Sequence, residues 1–227
     1  MSLRLGFLAS GAGTNFQAMV DAIEAGRLDA RAQVLVCNVP GAKVLERAES
    51  AGVPHVCLDH RDLPSRAAFD SAVLSVLREH DVDWLVLAGF MRIIGVSLLE
   101  AYPRRILNIH PALLPSFPGT RAVDEALARG VTISGCTVHI VDQGVDTGPI
   151  LAQAAVPVLP EDDRESLASR IQRQERRLYP RVLQAIAEGR LEWTGDRPVL
   201  AGAEPVESSL PVEASLVAPC LDPEEQP

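Results

Sequence analysis

The sequence predicts an α/β protein with a mostly parallel central sheet, helices on both faces, and C-terminal strands that make the sheet mixed. Short apolar runs alternate with amphipathic helical segments over the first half of the chain, which is typical of βαβ units. Aromatic residues make up only 4% of the 227 residues, as expected where buried parallel strands are built from Val, Leu and Ile. The last two apolar runs are separated only by a glycine-rich loop, so they can pair as a long hairpin.

The elements follow from hydrophobic periodicity and from the residues that interrupt it. Leu3–Ala9 is predicted as a strand, and the helix after it carries apolar residues at i, i+3, i+4 and i+7 from Phe16. Pro180 is expected to kink the last helix. The other predicted strands cover 32–37, 53–58, 84–88, 105–109, 132–141 and 150–158, and the other helices cover 42–51, 65–80 and 164–188.

We expect one domain over residues 1–197, with the N-terminal half binding one substrate and the C-terminal half another, and a tail over 198–227. The tail contains six acidic residues, six prolines and no basic residue, a composition typical of disordered segments. The net charge of −9 argues against a nucleic-acid partner. The longest apolar run, Trp84–Met91, is too short for a membrane span, and no secretory leader is recognisable, so we expect a cytoplasmic protein.

The most informative motif joins an amide, an imidazole and a carboxylate. Asn108 and His110 are two residues apart at the end of a predicted strand, so their side chains leave the same face. Asp146 lies on the glycine-rich loop 142–149 and could reach the imidazole. This trio suits acyl transfer to an amine, because amide and imidazolium can stabilise a developing oxyanion. The alternative is that Asn108 and His110 only satisfy a strand-to-loop junction.

Two other segments suggest binding sites. Ser10–Asn15 places two glycines at a strand-to-helix turn, with Thr14 or Asn15 available as N-cap, which fits either a monophosphate site or a plain tight turn. The spacing excludes both the dinucleotide fingerprint and the P-loop. Glu175 lies inside the apolar stripe of the last helix, where it either pairs with a nearby arginine or lines a wet cleft. Neither the cysteines nor the histidines have metal-ligand spacing, so no metal is expected.

These motifs together resemble the phosphoribosylglycinamide (glycinamide ribonucleotide) formyltransferases, folate-dependent enzymes of purine biosynthesis. The resemblance is collinear from about Leu3 to Trp193. It rests on five ordered segments, which are 10–15, 87–94, 108–115, 142–149 and 172–175.

The resemblance implies a Rossmann-like formyltransferase fold and a transfer of formyl from 10-formyltetrahydrofolate, as co-substrate, to the amine of glycinamide ribonucleotide. Asn108, His110 and Asp146 would be the catalytic trio, with Asp146 raising the pKa of His110. The resemblance assigns the phosphoribosyl group to Gly13, Thr14, Asn15, Gln172 and Glu175. It assigns the folate to Arg66, Met91, Arg92, Ile93, Ile94, Asn108, Asp142, Gln143, Gly144, Val145 and Asp146.

The sequence departs from the family pattern at Gln143, where a glutamate is usual, and at Arg121 and Val123, where histidines are common. His139 would then be the nearby substitute for an auxiliary proton relay. The oligomeric state is open, and a homodimer is among the states that the sequence allows.

Three other functions are alternatives to this transfer. Methionyl-tRNA formyltransferase would need a basic second domain. Formyltetrahydrofolate deformylase would need a regulatory domain, which we do not expect before Leu3, and has His where this chain has Pro111. A folate- or nucleotide-binding module would bind without turnover.

Overall fold

The computed structural model describes residues 2–202 and the backbone of 216–218. The chain divides into two compact units, each described by itself. The first comprises Met1–Asn108 and Ile140–Gln143, and the second comprises Ile109–His139 and Gly144–Pro227. The single domain expected over residues 1–197 stays a prediction.

The first unit is built on parallel strands in the order β3-β2-β1-β4-β5. The chain moves outward from β1 to β3 and then returns to the other side of β1, which creates a topological switch point between β1 and β4. Ligands of open α/β sheets bind outside the carboxyl ends of the strands at such a point. The strands are β1 Leu3–Ala9, β2 Ala30–Cys37, β3 His55–Cys57, β4 Trp84–Leu87 and β5 Ile106–His110, of which the last two residues belong to the second unit.

The helices of the first unit are α1 Thr14–Glu24, α2 Lys43–Ser50, α3 Arg66–Glu79 and α4 Val96–Ala101, with a single 3₁₀ turn at His60–Asp62. Phe69, Val73 and Leu77 of α3 are buried in one core with residues of β2, β4 and β5. A Cβ at Gly6 would lie 2.7 Å from Leu77, so glycine in β1 permits the close packing of α3. Interior density of this kind leaves little room for added volume.

The second unit contains α5 Ala122–Arg129, the antiparallel pair β6 Ile133–Ile140 and β7 Ile150–Pro157, α6 Arg164–Ala187, and the hairpin β8 Leu191–Thr194 with β9 Arg197–Leu200. A reciprocal cap starts α6: Asp163 accepts from the Ser166 N–H at 2.8 Å, and the Ser166 hydroxyl accepts from the Asp163 N–H at 3.0 Å. Helix α6 runs through Pro180 without ending.

The predicted fold class is confirmed: most strands are parallel, and the C-terminal strands pair antiparallel. Helices α4 and α5 and the β8–β9 hairpin were not predicted from the sequence. The predicted start of the tail, residue 198, falls inside β9, where Leu200 is buried. Leu216–Ala218 forms β10 beside β7. The rest of the predicted tail after residue 202 lies outside the described residues.

Candidate functional site

His110 closes strand β5 and is 4% exposed. Its two ring nitrogens face different oxygens. Nε2 lies 2.8 Å from the carbonyl oxygen of Phe117, and Nδ1 lies 3.2 Å from Oδ2 of Asp146. Phe117 has a φ of 55°, in the left-handed region, which bulky residues rarely adopt. The loop after β5 therefore turns its backbone back to the imidazole.

Asp146 is held from three sides. The Gly119 N–H donates to its Oδ2 at 2.8 Å, and His139 Nε2 lies 3.7 Å from its Oδ1. Asp146 itself has a φ of 55°, and its side chain is 12% exposed. Gly144 lies in the same loop, where a Cβ would meet the Thr147 hydroxyl at 1.9 Å. The glycine-rich sequence thus permits the tight turn that aims the carboxylate at His110, as the sequence suggested.

Burial lowers the pKa of His110, and the Asp146 charge and the Phe117 carbonyl oppose this without overcoming it. Asp146 thus acts on the His110 pKa in the expected direction, but the net pKa is lowered because removing an imidazolium from water outweighs one nearby carboxylate. Burial alone would raise the pKa of Asp146, but the hydrogen bond from His139, the Gly119 N–H and the two histidine charges lower it. Asp146 is thus ionised at neutral pH.

The surroundings of His110 provide a hydrogen-bond acceptor for each of its two ring nitrogens. A neutral imidazole has one N–H, whereas both of its nitrogens face an acceptor oxygen. A proton taken up by the ring would therefore find two acceptors already in place. Such a residue can accept a proton during a reaction and hold the resulting charge beside Asp146.

The remaining residues of the predicted catalytic and folate sets can be placed unit by unit. Asn108 is half-buried, two residues before His110 on β5, so the two side chains leave the same face of the strand. In the loop 142–145, all four residues are exposed. This exposure leaves the loop accessible to a ligand.

The turn after β1 differs from the prediction in its cap. The N-cap of α1 is Gly13, with φ 71° and no side-chain hydrogen bond, so the predicted cap by Thr14 or Asn15 is wrong. A glycine is required here because the backbone is left-handed and a Cβ would lie 2.4 Å from Val44. The first N–H groups of a helix lack intrahelical partners, and here no N-cap side chain takes them.

Arg66 and Arg92 lie close to a buried carboxylate in the first unit. Arg66 Nη2 donates to the Ile94 carbonyl at 2.7 Å, and its Nε lies 3.9 Å from Asp70. The Arg92 guanidinium lies 5.0 Å from the centre of the Phe69 ring. Burial raises the pKa of Asp70, opposed by both arginines. Met91 and Ile93 are exposed although apolar, at 67% and 53%, so the loop 91–94 presents an apolar surface beside two cations.

Gln172 and Glu175 lie on α6 in the second unit. Gln172 is exposed, and Glu175 is 6% exposed within the apolar stripe, as the periodicity predicted. Burial, followed by the charge of Glu175, raises the pKa of the Cys136 thiol well above its ordinary value. The carboxylate therefore faces β6, on the interior side of the helix.

Within residues 2–202, no group of three or more His, Cys, Asp and Glu side chains is arranged to hold a metal ion. In the same part of the chain, no helix combines the length and the apolar character that crossing a bilayer requires.

Comparison with known proteins places these motifs in a family. The model of the formyl transferase family matches residues 3–183. Phosphoribosylglycinamide formyltransferase of Bacillus subtilis (strain 168) is 46% identical over 178 residues, covering 78% of this chain and 91% of that protein.

Two solved structures are similar as well. Glycinamide ribonucleotide transformylase 1 from Symbiobacterium toebii superposes with a TM-score of 0.85 at 48% identity, over 86% of this chain and 92% of that one. A formyltetrahydrofolate deformylase from Pseudomonas syringae superposes with a TM-score of 0.82 at 26% identity, over 88% of this chain and 66% of that one. The chain belongs to the formyl transferase family.

Proposed function

We propose that this enzyme transfers the formyl group of 10-formyltetrahydrofolate to the amine of glycinamide ribonucleotide, in purine biosynthesis. The observation that carries the proposal is buried His110, whose Nδ1 lies 3.2 Å from Oδ2 of the partly buried Asp146. His110 is at the end of strand β5, which also carries Asn108. Two similar proteins, at 46% and 48% identity, are named phosphoribosylglycinamide formyltransferase and glycinamide ribonucleotide transformylase, which supports the proposal.

The chemistry follows from the groups present. The acceptor amine attacks the formyl carbon, and the carbonyl π electrons move to oxygen, giving a tetrahedral alkoxide. Asn108 donates a hydrogen bond to this oxygen, and protonated His110 stabilises its charge. The bond from the formyl carbon to N10 then breaks, and the proton of the attacking nitrogen passes to N10. The negative charge of Asp146 stabilises the His110 imidazolium for as long as the alkoxide exists. No covalent enzyme intermediate is needed.

The resting state of His110 fits this sequence of events. Burial keeps the ring neutral before substrates bind, because its pKa is lowered. The ring takes up the proton that the attacking nitrogen releases, holds it while the developing negative charge favours the imidazolium, and gives it to N10 as the bond from the formyl carbon to N10 breaks. The Asp146 carboxylate stays ionised, since the hydrogen bonds from His139 and the Gly119 N–H, together with the neighbouring histidine charges, lower its pKa against the effect of burial.

We assign the substrates to the two remaining sets of residues. The acceptor phosphate is assigned to Gly13, Thr14 and Asn15, where helix α1 begins and the positive end of its dipole favours an anion. Gln172 and Glu175 are assigned to the phosphate and ribose end of the same substrate. The folate is assigned to Arg66, the loop 91–94, Asn108 and the loop 142–146.

Purified protein is tested with 10-formyltetrahydrofolate, with and without glycinamide ribonucleotide, and the formylated product is quantified. His110→Ala should lower kcat by at least ~10²-fold with little change in folate affinity. His80→Ala is the matched control, because the His80 ring lies 2.9 Å from the Val76 carbonyl of α3 and His80 belongs to none of the assigned sites; it should retain full activity.

Hydrolysis is the second candidate, because the deformylase superposes well despite its lower identity. Release of formate at the same rate with and without the ribonucleotide would favour hydrolysis over transfer.

A further inference from the structure

A row of hydrogen bonds crosses the carboxyl ends of four strands in the first unit. The Met91 N–H donates to Ser10 Oγ at 2.8 Å, and the Ser10 hydroxyl donates to Asn38 Oδ1 at 2.6 Å. Asn38 Nδ2 lies 3.4 Å from His60 Nδ1. We call these four residues the edge ladder. Their order follows the strand order β4, β1, β2, β3.

The edge ladder fixes the orientation of the Ser10 hydroxyl. Asn38 is 3% exposed, so its amide oxygen is a stationary acceptor, and it takes the only proton of the Ser10 hydroxyl. The hydroxyl lone pairs are thereby left for the Met91 N–H. Ser10 also donates its own backbone N–H to the Gly89 carbonyl at 3.1 Å. One residue thus holds the loop after β4 at two points.

We propose that Ser10 and Asn38 are positioning residues for the formyl donor. The proposal rests on the proposed function, which assigns the loop 91–94 to the folate. Neither residue belongs to the folate set or to the phosphoribosyl set. They act through the backbone of Met91, by setting where the exposed loop begins relative to strand β1.

The effect falls on the donor and not on the acceptor, because the loop after β1 has other supports. The Val44 N–H donates to the Gly11 carbonyl at 3.1 Å, and Arg47 Nε donates to the Ala12 carbonyl at 2.8 Å. The N–H of Gln17 donates to the Gly13 carbonyl at 2.9 Å. Removing the Ser10 hydroxyl leaves all three bonds intact, whereas the Met91 N–H loses its acceptor.

The test compares Ser10→Ala with Ser10→Thr, which keeps the hydroxyl. Ser10→Ala should raise KM for 10-formyltetrahydrofolate by roughly 3- to 10-fold, the size expected for one hydrogen bond. The KM for glycinamide ribonucleotide and kcat should change less than twofold. Ser10→Thr should restore most of the donor KM. Ser75→Ala is the matched control, since the Ser75 hydroxyl contacts only exposed Glu79.

Asn38→Ala provides the second arm. It should raise the donor KM in the same direction, and adding it to Ser10→Ala should produce almost no further change, because both act through one hydroxyl. Equal rises in both KM values, a fall in kcat alone, or additive effects of the two substitutions would overturn the proposal.

Hydrogen–deuterium exchange separates failure of this inference from failure of the proposed function. In Ser10→Ala the amides of residues 89–94 should exchange faster than in wild type, while those of residues 11–17 should not change. This readout needs no substrate. Unchanged exchange at 89–94 would overturn the ladder even in an active enzyme, and faster exchange in a protein without transferase activity would refute only the assigned reaction.

Discussion

Gly13→Ala is the substitution for which the structure gives the clearest magnitude. The residue has a φ of 71°, and an added Cβ would lie 2.4 Å from Val44 Cγ2, 2.7 Å from its Cβ and 3.0 Å from its Cα. The left-handed conformation costs alanine about 1–2 kcal/mol, and overpacking adds about 1–3 kcal/mol. We therefore expect a loss of about 2–5 kcal/mol in the free energy of unfolding.

The assay is thermal unfolding of Gly13→Ala beside Gly11→Ala. At ~2–4 °C per kcal/mol for a chain of this size, Gly13→Ala should lower Tm by about 4–20 °C. Gly11 is the matched control in the same turn, because its Cβ would meet nothing within 4 Å. Gly11→Ala should change stability by no more than ~0.5 kcal/mol.

A double-mutant cycle with Val44→Ala tests the cause of the loss. Val44→Ala removes the closest atom but leaves the Cβ at 2.7 Å, so rescue should be partial, with a favourable coupling of about 1 kcal/mol. Well below its Tm, Gly13→Ala should raise KM for glycinamide ribonucleotide and leave folate affinity unchanged. The reasoning is refuted if Gly13→Ala and Gly11→Ala are equally stable, or if the costs at positions 13 and 44 simply add.

Three further predictions concern the site. The pKa of His110 in the folded protein lies below its ordinary value of 6.5, so the unfolded chain binds a proton at this residue first as the pH falls. The Tm of wild type should therefore fall relative to that of His110→Gln as the pH is lowered from about 7 to 5. Parallel Tm curves for the two proteins would contradict this prediction. Asp146→Asn should lower kcat by at least ~10²-fold. The double mutant Asp146→Asn/His110→Ala should lose far less kcat than the two single losses combined predict. Additive losses in kinetic assays would mean that the carboxylate acts independently of His110. The kcat/KM for dephosphorylated glycinamide riboside should be at least ~10²-fold lower than that for glycinamide ribonucleotide, because the charge-assisted hydrogen bonds to the phosphate are lost. Equal kcat/KM values for the two substrates would refute the assigned phosphate site.

Local patterns were sufficient for much of the fold. The buried strand Leu3–Ala9, the helix after it and the antiparallel pairing of β6 with β7 were all predicted, because each depends on a hydrophobic period or on a glycine-rich interruption. Asp146 was expected to reach His110, and the two groups lie 3.2 Å apart. The two-residue spacing of Asn108 and His110 on a strand and the glycine-rich loop 142–149 were sufficient for that inference.

Other features depend on tertiary contacts or on signals that were overlooked. Phe117 and the Gly119 N–H complete the surroundings of His110 and Asp146, but a phenylalanine with positive φ has no signature in sequence. The β8–β9 hairpin turns at Gly195-Asp196, a two-residue turn type that could have been recognised. The contribution of Asp146 to the His110 pKa was predicted in the correct direction, but the larger lowering by burial could not be, because burial is a property of the folded environment.

The edge ladder had a partial signal in the sequence. Ser10 and Asn38 each follow an apolar run immediately, at the position where parallel strands present their carboxyl ends. The hydrogen bond between them depends on β1 and β2 being neighbours in register, with Ala9 opposite Cys37. That register follows from packing of the whole sheet.

The most direct measurement of the central claim is the fate of the formyl group during turnover. With isotopically labelled 10-formyltetrahydrofolate and glycinamide ribonucleotide, the account predicts that nearly all of the label appears on the ribonucleotide amine. One tetrahydrofolate should form per product, and His110→Ala should lower the rates of both in parallel. Label recovered as free formate, at a rate that the ribonucleotide does not change, would contradict formyl transfer and identify a hydrolase.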